Sequence, residues 1–275
     1  LKLGFNEATC MKRSNVEMDL KLCEKYRYDY IELRLDMLKD YFTSHTIDDL
    51  KEFFKKSHLK PFALNSIENI NFCSKEKWNE LVELFTFGCR VAQEIGNPYM
   101  IVVPTMYEGV CSKTEEEVFI DSVNVLNKLT DIAESYNVRL AFEPIGDKRW
   151  ACNSIRQAYE IVKIINRRDV GLVIDCINFY LNDKCADIEY LRKIPLDKIF
   201  VFHINDCEDL PLGVLDHCHR LFPGDGCIPI KEITNILKKK GYDKSASLEL
   251  FRPEYWKMKP EDVIRIGADR TRVFL

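Results

Sequence analysis

The sequence predicts a single α/β domain over residues 1–275, a (β/α)8 barrel, on three observations. Eight strand-like and eight helix-like segments alternate from end to end, a pattern that builds a parallel sheet covered by helices. The length of 275 residues suits eight such units. No glycine-rich phosphate loop follows the first strand, as an open doubly wound sheet would carry, and Gly224-Asp225-Gly226 is only a turn signal.

In order, the first strand is expected near 2–6, where Leu1-Lys-Leu-Gly-Phe-Asn-Glu enters a strand-like pattern without signal-peptide anatomy; a helix follows over 14–27. A second strand near 29–35 precedes a helix over 46–57. A third near 60–66 precedes one over 75–95, with Gly96 placed at its C-cap. The fourth, near 99–104, leads to helix 115–136, for which Ser112-Lys-Thr114 offers N-cap residues. Strand 138–144 precedes helix 154–166, with Asn153-Ser154 at its N-cap, and strand 170–176 precedes helix 187–193. Strand 198–205 leads to helix 230–240, closed by Gly241, and strand 245–251 to helix 260–272. No linker, composition shift or low-complexity segment divides the chain.

Side chains alternate faces along a strand. Leu140 and Phe142 therefore oppose Ala141 and Glu143; Leu172 and Ile174 oppose Val173 and Asp175. Phe200, Phe202 and Ile204 oppose Val201, His203 and Asn205, and Leu248 and Leu250 oppose Ser247 and Glu249. Bulky residues point to the helices, small or polar ones to the barrel axis. The same parity turns Asn6, Glu32, Arg34 and Asn65 inward near the ends of the first three strands, so the polar residues converge on the C-terminal mouth, where barrels of this kind carry their active sites. Asn6 and Asn65 are accordingly candidate substrate contacts.

Glu143, Asp175, His203 and Glu249 are the residues that demand an explanation. Taken singly, each reads as an ion pair or a polar strand end. Together, at successive strand ends in phase, they would need four separate buried partners, because an unpaired buried charge costs several kcal/mol. One shared divalent cation meets the need of all four. The oxygen-rich donor set suits Mn, Zn, Co or Mg, without choosing among them. Such an ion, bound to a carbonyl and the neighbouring hydroxyl of a substrate, acidifies the C–H between them and stabilises an enediolate. Glu143 and Glu249 are then placed to move protons as base and acid.

Composition narrows the partners. Apolar content of 46%, charged content of 31% and a net charge of −4 describe a globular chain with no basic footprint for nucleic acid. Lys238-Lys-Lys240 reads as a helix-end dipole cap, and His217-Cys218-His219 as a polar loop, since no second ligand cluster stands at zinc-finger spacing. No stretch approaches the length of a membrane span. Eleven scattered cysteines without a CxxC pair favour reduced thiols and a cytoplasmic location. No nucleic-acid partner and no membrane are expected; a homo-oligomer is compatible with everything in the chain. Trp150 and Phe179, in the loops after strands five and six, either wall the site or pack on a neighbouring helix.

The chain also resembles a known family. Phe5-Asn-Glu-Ala-Thr9, Leu22-Cys-Glu-Lys25, Tyr28-Asp-Tyr-Ile-Glu32, Gln157-Ala-Tyr-Glu-Ile-Val162, Val170-Gly-Leu-Val-Ile-Asp175 and, most distinctively, Leu248-Glu-Leu-Phe-Arg-Pro-Glu-Tyr255 are similar to segments of the xylose isomerase-like TIM barrels. That group includes sugar epimerases, hydroxypyruvate isomerase and endonuclease IV; the likeness is strongest to its inosose isomerases. The resemblance implies one divalent metal held by Glu143, Asp175, His203 and Glu249, the two glutamates as proton-transfer pair, and Arg220 on substrate oxygens. It implies an isomerase that shifts a carbonyl between adjacent carbons of a cyclic polyol, inosose. Relatives usually carry His, a substrate contact, three residues after the strand-six Asp; Asn178 stands there and keeps hydrogen-bonding capacity without the option of positive charge. A ketohexose 3-epimerase or a dehydroshikimate dehydratase-like lyase would use the same template. An abasic-site endonuclease of this fold uses three zinc ions and many histidines, against five His here; the pair of candidate proton-transfer glutamates argues against a non-catalytic metal-binding barrel, a reading that Asn178 keeps open. The resemblance implies a small-molecule polyol or keto sugar as partner.

Overall fold

Eight parallel strands close on one another in the order β1-β10-β7-β6-β5-β4-β3-β2. They are β1 (Lys2–Asn6), β2 (Tyr30–Arg34), β3 (Lys60–Ile67), β4 (Tyr99–Val102), β5 (Arg139–Phe142), β6 (Val170–Asp175), β7 (Ile199–Ile204) and β10 (Ser245–Leu248). Two-residue strands β8 (Asp206–Cys207) and β9 (Arg220–Leu221) form a separate antiparallel ladder. The computed structural model describes residues 1–275. No helix is long and apolar enough to cross a membrane.

The chain divides into two compact units. The first comprises Leu1–Ala63, Asp175–Ile177 and Val201–Leu275. Within it β1 runs between β10 and β2, with Gly4 opposite both Ser247 and Tyr30, and Asn6 opposite Glu32. Ser247 is in turn the register partner of His203. Helices α1 (Val16–Lys25), α3 (Ile47–Lys56), α8 (Ile230–Lys240) and α9 (Pro260–Arg272) belong to it. Phe202 meets the Tyr242 ring edge-on at 6.5 Å between centroids, so the bulky face of β7 is buried as parity predicts. Each such fully buried aromatic or aliphatic side chain stabilises the fold by about 1.5–3 kcal/mol.

The second unit comprises Leu64–Ile174 and Asn178–Phe200. Here β5 lies between β4 and β6, with Ile101 opposite Ala141 and Ala141 opposite Gly171. Around them run α4 (Lys75–Ile95), α5 (Glu115–Glu134) and α6 (Ile155–Ile165). Thr114 caps α5 through a reciprocal box with Glu117, and Ser154 caps α6 by accepting from the Gln157 N–H. Gly96 ends α4 at φ 72°, a left-handed residue that favours glycine.

The structure departs from the sequence reading in short helices. A helix α2 (Leu35–Tyr41) follows β2 at once, and α7 (Cys176–Asp183) follows β6 at once. The first is too short to show a period, and the second begins directly after Asp175, with no loop residues between strand and helix to mark the boundary. Phe179 consequently lies on α7 rather than in a loop, and is buried. Residues Ile188–Lys193, expected as an α-helix, form a 3-10 helix. Strands β5 and β10 stop one residue before Glu143 and Glu249, which places both carboxylates just beyond the last ladder position.

Candidate metal centre

Glu143, Asp175, His203 and Glu249 each offer one donor atom, and the four atoms lie within 4.8 Å of one another. All four side chains are buried. Donors around one ion with bonds of about 2.0–2.2 Å stand at most about 4.4 Å apart, so this set fits a single divalent cation after a movement of a few tenths of an ångström. Three carboxylates and an imidazole are the chemistry such an ion takes. The grouping is the one expected from strand parity.

In the first unit, Asp175 is the last residue of β6, His203 the fifth of β7 and Glu249 the first after β10. His203 Nδ1 faces Glu249 Oε2 at 3.3 Å and Asp175 Oδ2 at 3.6 Å. Its Nε2 is 3.1 Å from Glu32 Oε2. Asn205, two residues on from His203 and just past the end of β7, donates Nδ2 to Asp175 Oδ2 at 2.9 Å and accepts the Ile177 N–H at 2.9 Å on Oδ1. Asn6 donates Nδ2 to Glu32 Oε2 at 3.1 Å and to Glu249 Oε1 at 2.9 Å.

Arg220 is only 1% exposed. Its Nη1 donates to Glu249 Oε2 at 2.5 Å and to the Glu249 carbonyl at 2.9 Å, and lies 3.2 Å from Asp175 Oδ2. Its Nη2 donates to His217 Nδ1 at 3.1 Å. One divalent cation and this guanidinium would balance the charge of the three ligand carboxylates. Burial pushes the Glu249 carboxyl up, but the charges and hydrogen bonds of His203 and Arg220 outweigh it and hold the group well below its ordinary value. Asp175 is lowered in the same contest, with Arg220 the largest opposing influence. Burial, aided by Arg220, drives the His217 imidazole down to about 4, so it stays a neutral acceptor.

The loop that delivers Arg220 is stapled by Asp206. One of its oxygens accepts the N–H groups of Cys207 and Ile228, both at 2.9 Å, and the other accepts that of Gly224 at 3.0 Å. This fastens the Gly224-Asp-Gly226 turn against the ladder in which Cys207 opposes Arg220. His217-Cys218-His219 is a 3-10 turn capped by Asp216, a loop as expected, although its half-buried His217 serves Arg220. Arg34 stands apart, paired with Asp36 at 3.0 Å.

In the second unit, Glu143 donates its backbone N–H to Val102 O at 3.0 Å and accepts Asn178 Nδ2 on Oε1 at 3.1 Å. Asn178 is placed by a close approach of two backbones: a Cβ on Gly146 would stand 1.9 Å from the Asn178 carbonyl oxygen. Only glycine lets the loop after β5 lie so near α7. Asn65 is buried in β3, outside the four-residue group. Trp150 pairs with Met106 in an isolated antiparallel bridge.

Four residues that hold the site went unassigned in the sequence. Inward parity marked Glu32 and Asn205 without a partner; His217 and Asp206 carried no signal beyond being polar in a loop.

A model of the xylose isomerase-like TIM barrel family matches residues 20–273. Inosose isomerase of Halalkalibacterium halodurans is 40% identical over 272 residues, covering 98% of this chain and 95% of its own. That of Bacillus subtilis is 41% identical over 272 residues, covering 98% and 96%. Among solved structures, the IOLI protein with a bound zinc atom superposes with a TM-score of 0.95 at 40% identity, over 100% of this chain and 98% of that one. A D-psicose 3-epimerase, at 12% identity and a TM-score of 0.76 over 99% of this chain and 98% of its own, shares the fold.

Proposed function

The chain belongs to the xylose isomerase-like TIM barrel family, and from that premise we propose that it is a divalent-metal-dependent inosose isomerase, moving a carbonyl between adjacent carbons of a cyclic polyol. The observation that carries this reading is identity of about 40% to inosose isomerases along nearly the whole chain, with a buried donor group suited to one ion. Zinc is the first ion to test, because a relative at 40% identity holds one.

Glu143, Asp175, His203 and Glu249 would hold the ion. When bound, it supplies Lewis-acid polarisation of the substrate's carbonyl and adjacent hydroxyl. The remaining tasks fall to side chains. One of Glu143 and Glu249 takes the proton from the hydroxyl-bearing carbon, and the other delivers a proton to the carbon that held the carbonyl; the hydroxyl's own proton passes to the former carbonyl oxygen, and the two glutamates then trade a proton with solvent to return to their starting states. Arg220, Asn178 and Asn6 each bond to one of these glutamates, and we assign Arg220, Asn178, Asn6 and Asn65 to substrate oxygens.

The decisive experiment is solvent-deuterium incorporation into inosose by zinc-loaded protein. Wild type is expected to exchange and to isomerise; Glu143→Gln and Glu249→Gln are expected to lose both. Exchange at the normal rate in either variant would sink the two-glutamate scheme. A zinc-loaded wild type inert toward inosose would sink the assignment itself.

A further inference from the structure

We infer that Glu32 is a positioning residue of the metal centre: it holds the His203 ring by Nε2 so that Nδ1 is the nitrogen offered to the ion. Glu32 sits on β2 and His203 on β7, with β1 and β10 between them in the barrel. The carboxylate spans that gap because the inward residues on its path are small. Ser247 is the register partner of His203, and Gly4 is the register partner of Ser247. Glu32 Oε2 then reaches His203 Nε2 at 3.1 Å, with both side chains buried.

The direction of this hydrogen bond follows from Asn6. Its Oδ1 accepts the Ala8 N–H at 2.9 Å, which settles which end of the amide is oxygen. Its Nδ2 must therefore be the atom facing Glu32 Oε2 at 3.1 Å and Glu249 Oε1 at 2.9 Å. Glu32 Oε2 is thus an acceptor toward Asn6. An acceptor carboxylate oxygen takes the second bond from the imidazole N–H as well, so a ring that gives up its Nδ1 proton to the ion keeps the other on Nε2. The lone pair is left on Nδ1, the atom 3.3 Å from Glu249 Oε2 and 3.6 Å from Asp175 Oδ2. A carboxylate behind a ligating histidine in this way sets both its tautomer and its orientation. Asn6 completes the brace, since the same amide that fixes Glu32 also fixes the ligand Glu249.

This inference rests on the metal centre proposed above, and its test separates the two. Zinc affinity is measured by competition with a chromophoric chelator for wild type, Glu32→Leu and Glu32→Gln, with circular dichroism of each metal-free protein as a control. Glu32→Leu should bind zinc about 10–100-fold more weakly than wild type. Glu32→Gln, which keeps an acceptor oxygen, should recover most of that loss. Affinity of Glu32→Leu within twofold of wild type overturns the inference; so does a Gln variant as weak as Leu, because Glu32 would then act by charge rather than by holding the ring. A wild type that takes up no zinc sinks the metal centre instead. Should Glu32→Leu fail to fold, long-range 1H–15N spectra of zinc-loaded wild type decide the matter, with His203 assigned through a His203→Gln variant. A proton on Nε2 with metal on Nδ1 is expected, and the reverse arrangement refutes it.

Discussion

Asn178 donates its side-chain Nδ2 to Glu143 Oε1 at 3.1 Å, so the residue at the position where the resemblance leads us to expect a histidine is bonded to one of the two proposed proton-transfer groups. An amide keeps that bond at every working pH. An imidazole in the same place would titrate, with an ordinary pKa of about 6.5. Asn178→His is therefore expected to add an inflection to the pH profile of kcat/KM that wild type lacks. Profiles that superimpose would show that position 178 does not communicate with Glu143.

Arg220 is the buried counter-charge of Asp175 and Glu249. Removing one partner of a buried ion pair costs about 3–5 kcal/mol, because the other charge is left uncompensated. Arg220→Met should destabilise the metal-free protein by that order in urea melts, and saturating zinc should restore much of the loss by supplying positive charge to the same carboxylates. An equal deficit with and without zinc would mean that Arg220 acts through packing on Phe251, over which its guanidinium lies at 5.1 Å.

Exhaustive dialysis against a chelator should abolish turnover and lower the melting temperature. A ligand that binds only the folded state stabilises it by about 2.7 kcal/mol at a hundred times its dissociation constant. Adding back Zn, Mn, Co and Mg in turn, with calorimetry and assay in parallel, ranks the ions. Full activity in metal-free protein would remove the cation from the reaction.

Glu7 and Asp19 form a second buried acidic pair, outside the proposed ligand set. Burial raises both carboxyls well above their ordinary values, and the charge of Asp19 raises Glu7 further. Groups raised on folding favour the protonated protein. Their contribution is fully present below the unfolded values of about 4 and is lost as pH climbs through the folded ones. Stability should thus fall with rising pH above about 4 on account of this pair, and Glu7→Gln or Asp19→Asn should flatten the slope. Urea midpoints measured across that range check it; unchanged slopes in both variants would show that the pair does not titrate differently on folding.

Much of the site was legible in the chain because it depends on local rules. A strand alternates with period two, so the phase of Leu140, Phe142 and Glu143, or of Phe202 and His203, tells which face a residue takes without knowledge of any partner. Caps such as Thr114 and Gly96 are equally local. The helices α2 and α7 escaped because the first is seven residues long and the second runs on from Asp175 with no loop between strand and helix.

By itself, then, the sequence determined the alternating strands and helices, the four carboxylate and imidazole positions at strand ends, and the likeness to one family. Only the tertiary structure decided how those groups are held. Glu32 meets His203 across 171 residues of chain, and Arg220 reaches Glu249 from the two-residue strand β9, beside a turn fastened by Asp206. Such pairings depend on barrel register, on the small size of Gly4 and Ser247, and on the path of a loop. None of these is written in the period of a single segment, so the partner of each polar residue emerges only when the strands are side by side.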